Sequence, residues 1–401
     1  MRIGILTFHA ALNYGSVLQA YALQEYLVSK GHEVKVIDFR SRSQRRLYPS
    51  PISLDSPYNI KQTLRRIFSD WKEIRTMASK RTAFRRFISD NLHLTDICFK
   101  DEEALRSYDW SSFDMIVTGS DQIWNPSAID FSLAYFLDFL DGKSASVCPK
   151  RVAYAPSAGP SGVFPSFRES GNRSSVSLQE KIKVLLSEYD ALSVREKSTA
   201  DFLFSGDFAG SPCPVMPDPV LLHDAGFYRS LAHSFDAAAK AIARQYILYY
   251  SPGKNDGKAE LLADAAAAGM LGRNSSGILP SDKRLRIVRI TDGSAGGAGK
   301  YRTAEAFYPA SPAEFISLID NAACTVGTSY HLLVLSMLLG KDFMCPDAAS
   351  DSRKAQLLKA AGMSPETSCF RFSDPDIRVA VHAAVESLRA SADSFWSGLG
   401  V

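Results

Sequence analysis

Apolar positions in the first 40 residues fall into three blocks with different spacing. Residues 3–8 are a short apolar run of strand type, and the loop HAALNYG follows. Ser16 stands where a helix cap is needed, and Val17, Leu18, Tyr21, Leu23, Tyr26 and Leu27 keep helical spacing after it. Gly31 ends that helix, and residues 34–39 form a second strand closing on Asp38. Such a β-loop-α-β opening predicts two parallel strands joined by a crossover helix. Residues 115–118, 152–155, 191–194 and the short run before Asp218-Pro219 repeat the strand pattern, each ending in a loop of small or polar residues.

The pattern restarts in the second half. Strands are predicted at 246–250, 285–290, 324–327 and 342–345, and helices at 258–268, 312–322, 331–339 and 353–361. Ser311-Pro312-Ala313-Glu314 combines a capping box with proline at the first helical position. The expected organisation is an α/β domain over 1–230 with a helical insertion at about 41–90, a second over 245–375, and a terminal helix over 376–401. An alanine-rich helical segment between 222 and 245 links the two. Facing α/β domains leave a cleft between them, where ligands tend to bind. Residues 161–177 and the glycine-rich 293–299 lack periodicity and read as loops.

Composition narrows the class. With 46% apolar and 22% charged residues, the 401-residue chain is neither disordered, collagen-like nor a coiled coil. The net charge of +3 names no partner. The longest apolar stretch, residues 326–340, contains His331 and is shorter than the ~20 residues a bilayer span needs. The opening MRIGILTF reads as a strand and not as a leader, and six cysteines without a close pair read as free thiols in a reducing compartment. A cytoplasmic protein without a metal site is expected. The charge is uneven, however: residues 40–86 hold thirteen Lys and Arg against three acidic residues, interleaved with Leu64, Ile67, Phe68, Trp71, Ile74, Phe84 and Phe87. That amphipathic pattern suits either docking on an anionic membrane surface or packing on the domain with a solvated outer face. No nucleic-acid motif accompanies it.

Neither G-x-G-x-x-G after the first strand nor G-x-x-x-x-G-K-[ST] is present, which excludes the simple dinucleotide and P-loop classes. Asp374-Pro375-Asp376 has a D-x-D form but sits where the terminal helix starts, so it reads as a cap. The informative residues stand in loops at strand ends. Asn13, Gly15 and Ser16 place small polar groups at a helix N-terminus, where free N–H groups hold an anion or a sugar hydroxyl. Asp121, Gln122, Trp124 and Asn125 combine polar forks with a flat ring, a mix suited to a carbohydrate or to a structured turn. Arg195 follows a strand and precedes Glu196. His331 lies in the first turn of a helix behind Thr328 and Ser329, a position that favours a bound phosphate or carboxylate and a general-acid imidazole. Arg353 and Lys354 open the next helix and can complete an anion pocket.

Together these segments resemble the polysaccharide pyruvyl transferases. The residues that carry the resemblance are NYGSVLQAYALQEYL, FDMIVTGSDQIWNP, YAPSAG, LSVRE, PDPVLL, VGTSYHLLVLSMLLGK and DSRKAQLLKAAGM, in family order over roughly residues 1–365. The resemblance implies a GT-B-like pair of Rossmann-like domains facing a cleft. It also implies transfer of an enolpyruvyl group from phosphoenolpyruvate to hydroxyls of a saccharide, free or lipid-linked, giving a pyruvate ketal and phosphate. No cofactor is required; phosphoenolpyruvate is the donor substrate. By this resemblance Arg195, His331 and Arg353 take the donor; from the chemistry and position of the residues themselves, Ser329 joins the donor side, His331 is the candidate acid, Asp121 or His9 the base, and Asn13, Gly15, Trp124 and His9 face the acceptor. One position departs: glycine or alanine usually follows the histidine, and here it is Leu332, which is expected to narrow the pocket. The competing readings are a sugar-nucleotide glycosyltransferase, whose E-x7-E pair Glu305 and Glu314 miss by one position, and a non-catalytic carbohydrate-binding relative.

Overall fold

A computed structural model describes residues 1–47, 71–141, 148–159, 173–205, 213–233, 246–252, 257–268, 285–290 and 306–401. In the first half, β1 (Arg2–Leu6), α1 (Tyr14–Ser29) and β2 (Glu33–Val36) form the expected parallel unit. Helices α2 (Arg42–Leu47), α3 (Trp71–Asn91) and α4 (Glu102–Ser107) lead to β3 (Met115–Thr118). Then come β4 (Lys150–Ala153), α5 (Arg173–Ser187), β5 (Ala191–Leu192), α6 (Lys197–Ser205) and α7 (Ala225–Ala232). The five strands make one parallel sheet in the order β2-β1-β3-β4-β5.

The second half contributes β6 (Tyr246–Tyr249), α8 (Gly257–Ala267), β7 (Arg286–Ile290), β8 (Ala306–Tyr308), α9 (Pro312–Asn321), β9 (Cys324–Val326), α10 (Tyr330–Leu339), β10 (Phe343–Met344), α11 (Ser352–Ala360), β11 (Cys369–Phe370) and α12 (Pro375–Ser397). Its sheet runs β11-β10-β9-β6-β7-β8, parallel except for the β10-β11 pair. The Ser311–Glu314 capping box forms at α9, and Asp374 caps α12, so the D-x-D segment is a helix start.

Both sheets contain a point where the strand order reverses. In the first it lies between β1 and β3, and in the second between β6 and β9. Loops leaving the carboxyl ends of such strand pairs diverge to opposite faces and open a crevice. The two crevices face each other. Tyr14 of α1 crosses to the second sheet's side, donating its hydroxyl to the Ala310 carbonyl at 2.9 Å and stacking on Phe315 at 4.3 Å. Helix α12 returns to the first: Trp396 stacks on Tyr154, and Tyr26 donates to Asp393 at 2.6 Å. One apolar cluster therefore runs through both halves.

Several expectations change. The run before Asp218 forms only an isolated bridge, Val194 to Val215, ahead of a one-turn helix Pro219–Leu222. Strands β8 and β11 were not anticipated, and α5 begins inside the expected 161–177 loop. Asn13, not Ser16, caps α1, accepting from the amides of Gly15 and Ser16. The glycine-rich 293–299 loop lies outside the described residues. In the basic insertion Phe84, Phe87 and Ile88 of α3 are buried in the protein's own core, and Lys80 lies over the Tyr14 ring at 4.3 Å. These three apolar side chains are therefore unavailable to a bilayer; Leu64, Ile67 and Phe68, and the side chains of Trp71 and Ile74, lie outside what the structure describes. Among the described residues no helix is long and apolar enough to cross a membrane.

Candidate active site in the cleft

The crevice holds a cavity of ≈ 340 Å³ lined from both halves by Asn13, Asp121, Gln122, Ser329, His331 and Arg353, among others. The loop after β1 brings Asn13, and the loop after β3 brings Asp121. Gln19 ties these loops together, donating to Thr7 Oγ1 at 2.9 Å and accepting from the Ser120 amide at 3.1 Å. Asp121 has φ 70, in the left-handed region that few side chains other than Asn and Asp tolerate. Its Oδ2 accepts from Ser16 Oγ at 2.5 Å.

From the second sheet, the loops after β6 and β9 bring Pro252 and the Thr328–Tyr330 turn. These loops touch closely: a β-carbon at Gly327 would stand 1.8 Å from the Tyr250 carbonyl oxygen. Ser329 caps α10, accepting from the Leu332 amide at 3.3 Å, which leaves other first-turn amides of α10 without intrahelical acceptors.

His331 Nε2 lies 3.2 Å from Asp218 Oδ2, and Arg195 Nη1 donates to the same oxygen at 2.7 Å. Burial alone would raise the Asp218 carboxyl; the His331 ring, Arg195 and the Val220 amide outweigh it and hold the carboxyl well below its ordinary range. A charged Asp218 fixes the imidazole with Nε2–H toward it, so Nδ1, beside Gly15, is the nitrogen left to exchange a proton. Arg195 is itself buried. Burial disfavours its charge, but Asp218 and Glu196 more than compensate. Its Nε and Nη2 have no hydrogen-bond partner among the described residues. Tyr330 lies between two guanidinium groups, Arg195 at 5.1 Å and Arg353 at 5.4 Å from its ring. Arg353 also holds Asp351 at 2.7 Å, and Lys354 holds Asp347 at 2.6 Å. The arrangement supplies a buried Asp–His pair, a helix N-terminus and an arginine at one wall, and a carboxylate at the other. Such a site can bind a small anion and move a proton.

The family model for polysaccharide pyruvyl transferases matches residues 13–345. The chain belongs to that family. No match is found among the curated proteins. Among solved structures, Anabaena HepE in complex with UDP and glucose is 10% identical with a TM-score of 0.51, covering 99% of this chain and 100% of that one. The Staphylococcus aureus MnaA complex with UDP is 11% identical with a TM-score of 0.45, covering 96% and 87%. The HepE likeness concerns the fold, a GT-B architecture of two facing α/β units.

Not every residue chosen from the sequence of this pyruvyl transferase family member reaches the cleft. Trp124 is fully buried, stacked on Phe136 at 5.0 Å with its Nε1–H donated to the Tyr135 carbonyl; it presents no face to an acceptor. His9 is equally buried, with Nε2 on Asp38 at 2.9 Å and Nδ1 facing the Thr7 carbonyl, so it cannot serve as a base in the cleft. Arg195 does not line the cavity but acts on it through Asp218 and Tyr330. Gly15 provides space rather than a contact group. Leu332 points into the core against Gly327 and leaves the pocket unobstructed. Asp218 is a site residue that sequence reasoning missed: the only local signal is the Asp-Pro cap inside the PDPVLL segment, which points to a helix start and not to the cleft.

Proposed function

We propose that this protein transfers the enolpyruvyl group of phosphoenolpyruvate to two hydroxyls of a saccharide, forming a pyruvate ketal and releasing phosphate, in the synthesis of surface polysaccharide. The observation that carries the reading is His331, held through Nε2 by a charged Asp218 at the N-terminus of α10, in a chain of this family. The N–H groups of α10 and Arg353 receive the donor's phosphate and carboxylate. His331 gives a proton to the methylene carbon, and the neighbouring carbon gains oxocarbenium character. A first sugar hydroxyl adds there, losing its proton to Asp121. The carbon–oxygen bond to phosphate breaks, and a second hydroxyl closes the ketal as its proton returns to His331. One proton enters at carbon, two leave the hydroxyls, and phosphate carries away the difference. The acceptor lies on the Asn13 and Asp121 side.

Melting the protein with phosphoenolpyruvate and, separately, with UDP tests this. At about 100 times its dissociation constant a ligand of the folded state adds about 2.7 kcal/mol. Stabilisation by phosphoenolpyruvate supports the proposal. Stabilisation by UDP alone would replace it with a sugar-nucleotide glycosyltransferase, and no response to either would favour a non-catalytic carbohydrate-binding relative.

A further inference from the structure

Two guanidinium groups flank Tyr330 from opposite halves of the molecule, Arg195 from the segment after β5 and Arg353 from the first turn of α11. Neither is free to adjust by itself. Arg195 is fixed to Asp218, and Arg353 donates to both oxygens of Asp351, the residue that caps α11. The spacing between the two arginines is therefore set by how α11 seats against the segment that carries Arg195.

Gln356 makes that seat. It stands three positions after Arg353, on the neighbouring surface of the same helix. Its side chain reaches the other half: Oε1 accepts from the Lys197 amide at 2.7 Å, and Nε2 donates to the Arg195 carbonyl at 3.2 Å. Lys197 opens α6, where the first amides have no acceptor within the helix, so this helix start receives its acceptor from the opposite half. Ser198 and Ser352 meet beside it at 3.4 Å. A primary amide offers acceptor and donor together, whereas a carboxylate would repel the Arg195 carbonyl and an ammonium would repel the Lys197 N–H. Leu357 and Leu358 of α11 are buried in the core, so the helix itself stays anchored without Gln356.

We propose that Gln356 is a positioning residue for the donor: it couples Arg195 to Arg353 across the cleft and keeps Tyr330 and Arg353 in the geometry that receives the charged ends of phosphoenolpyruvate. That use rests on the donor reading above, whereas the coupling of the two halves does not. Gln356 itself touches no reacting group and acts through Arg353, which lines the cavity.

Two measurements on the full chain test it. Amide hydrogen exchange over residues 195–199 should be about fivefold faster in Gln356→Met, whose side chain keeps the length but neither hydrogen bond. Calorimetric titration with phosphoenolpyruvate should show affinity about fivefold weaker in Gln356→Met. The same substitution should cost less than about twofold once Arg353→Gln is present, because the residue acts through that arginine. Should Gln356→Met not fold, Gln356→Asn carries the same groups on a stem one carbon shorter, cannot span both partners, and should give the same results. Unchanged exchange, unchanged affinity, or an equal loss with and without Arg353 would overturn the proposal. Phosphoenolpyruvate that fails to bind the wild type rejects the donor reading instead, and the exchange measurement still decides the coupling.

Discussion

His331 leaves Gly15 no room for a side chain: a β-carbon on Gly15 would stand 2.0 Å from the imidazole Nδ1. The two residues come from opposite halves of the molecule, so the first turn of α1 is the wall against which the proton-carrying ring is set. Gly15→Ala should push the ring off Asp218 or part the two halves. Overpacking of this kind costs about 1–3 kcal/mol, and a displacement near 1 Å at a reacting group costs about 100-fold in turnover. Melting and initial rates measured on the same preparation check both, and a fully active, unshifted Gly15→Ala would show that the contact does not matter.

Asp218 binds a histidine and an arginine on one carboxylate oxygen, with all three side chains buried. Breaking a buried pair from one side costs about 3–5 kcal/mol, because the remaining charge stays desolvated. Asp218→Asn should lose stability on that scale, with Arg195 stranded. The folded pKa of this carboxyl lies below its ordinary 3.8, so its contribution is present above that pH and disappears as the pH falls below it. The stability gap between wild type and variant should therefore be flat near neutrality and shrink in acid, as denaturant titrations at several pH values would show.

Asp130 behaves in the opposite sense. Burial chiefly, with the Asp121 charge adding to it, pushes its carboxyl up to about 6. A folded pKa above the unfolded one means that the native state loses stability as the pH rises through that interval, at up to about 1.4 kcal/mol per unit. Asp130→Asn removes the slope. Relative to wild type, the variant should gain stability between about pH 4 and 6 and hold the gain above it. A constant difference over that range would contradict the shift.

How much of this was legible in the chain depends on how local each signal is. The α9 start could be read because Ser311 and Glu314 satisfy each other within one turn. The place of His331 followed from a strand, a cap and an apolar run in immediate succession. Asp218 could be read only as a cap, since its partner stands 113 positions away and nothing local to either residue announces the pair. Strands β8 and β11 are three and two residues long and exist through pairing with β7 and β10, which leaves too few residues for a period to show. Trp124 misled for the same reason: its loop is polar, but the ring that covers it, Phe136, is supplied from a later turn.

That burial makes its own prediction. Trp124→Ala should cost about 3–5 kcal/mol as a core truncation, with the Tyr135 carbonyl left to its other donor, Thr118 Oγ1 at 2.7 Å. In whatever fraction stays folded, the Michaelis constant for the acceptor should be unchanged. A stable variant with weakened acceptor binding would restore the tryptophan to the cleft.

Arg353 and His331 are asked for different things at the same end of the cavity, and kinetics can separate them. Arg353 has its guanidinium beside Tyr330 and Asp351 and contributes fixed charge, which acts on ground state and transition state alike. His331 contributes a proton that matters only as the methylene carbon is protonated. Arg353→Gln should therefore raise the Michaelis constant for phosphoenolpyruvate about tenfold or more with a smaller change in turnover. His331→Gln keeps a polar side chain near Asp218 and should bind the donor almost normally while losing about 100-fold or more in turnover. Donor binding measured directly by titration, next to steady-state rates, distinguishes the two. If His331→Gln loses donor affinity and turnover in proportion, the histidine is a binding group and the proton comes from elsewhere in the cleft, with Asp121 the next residue to test.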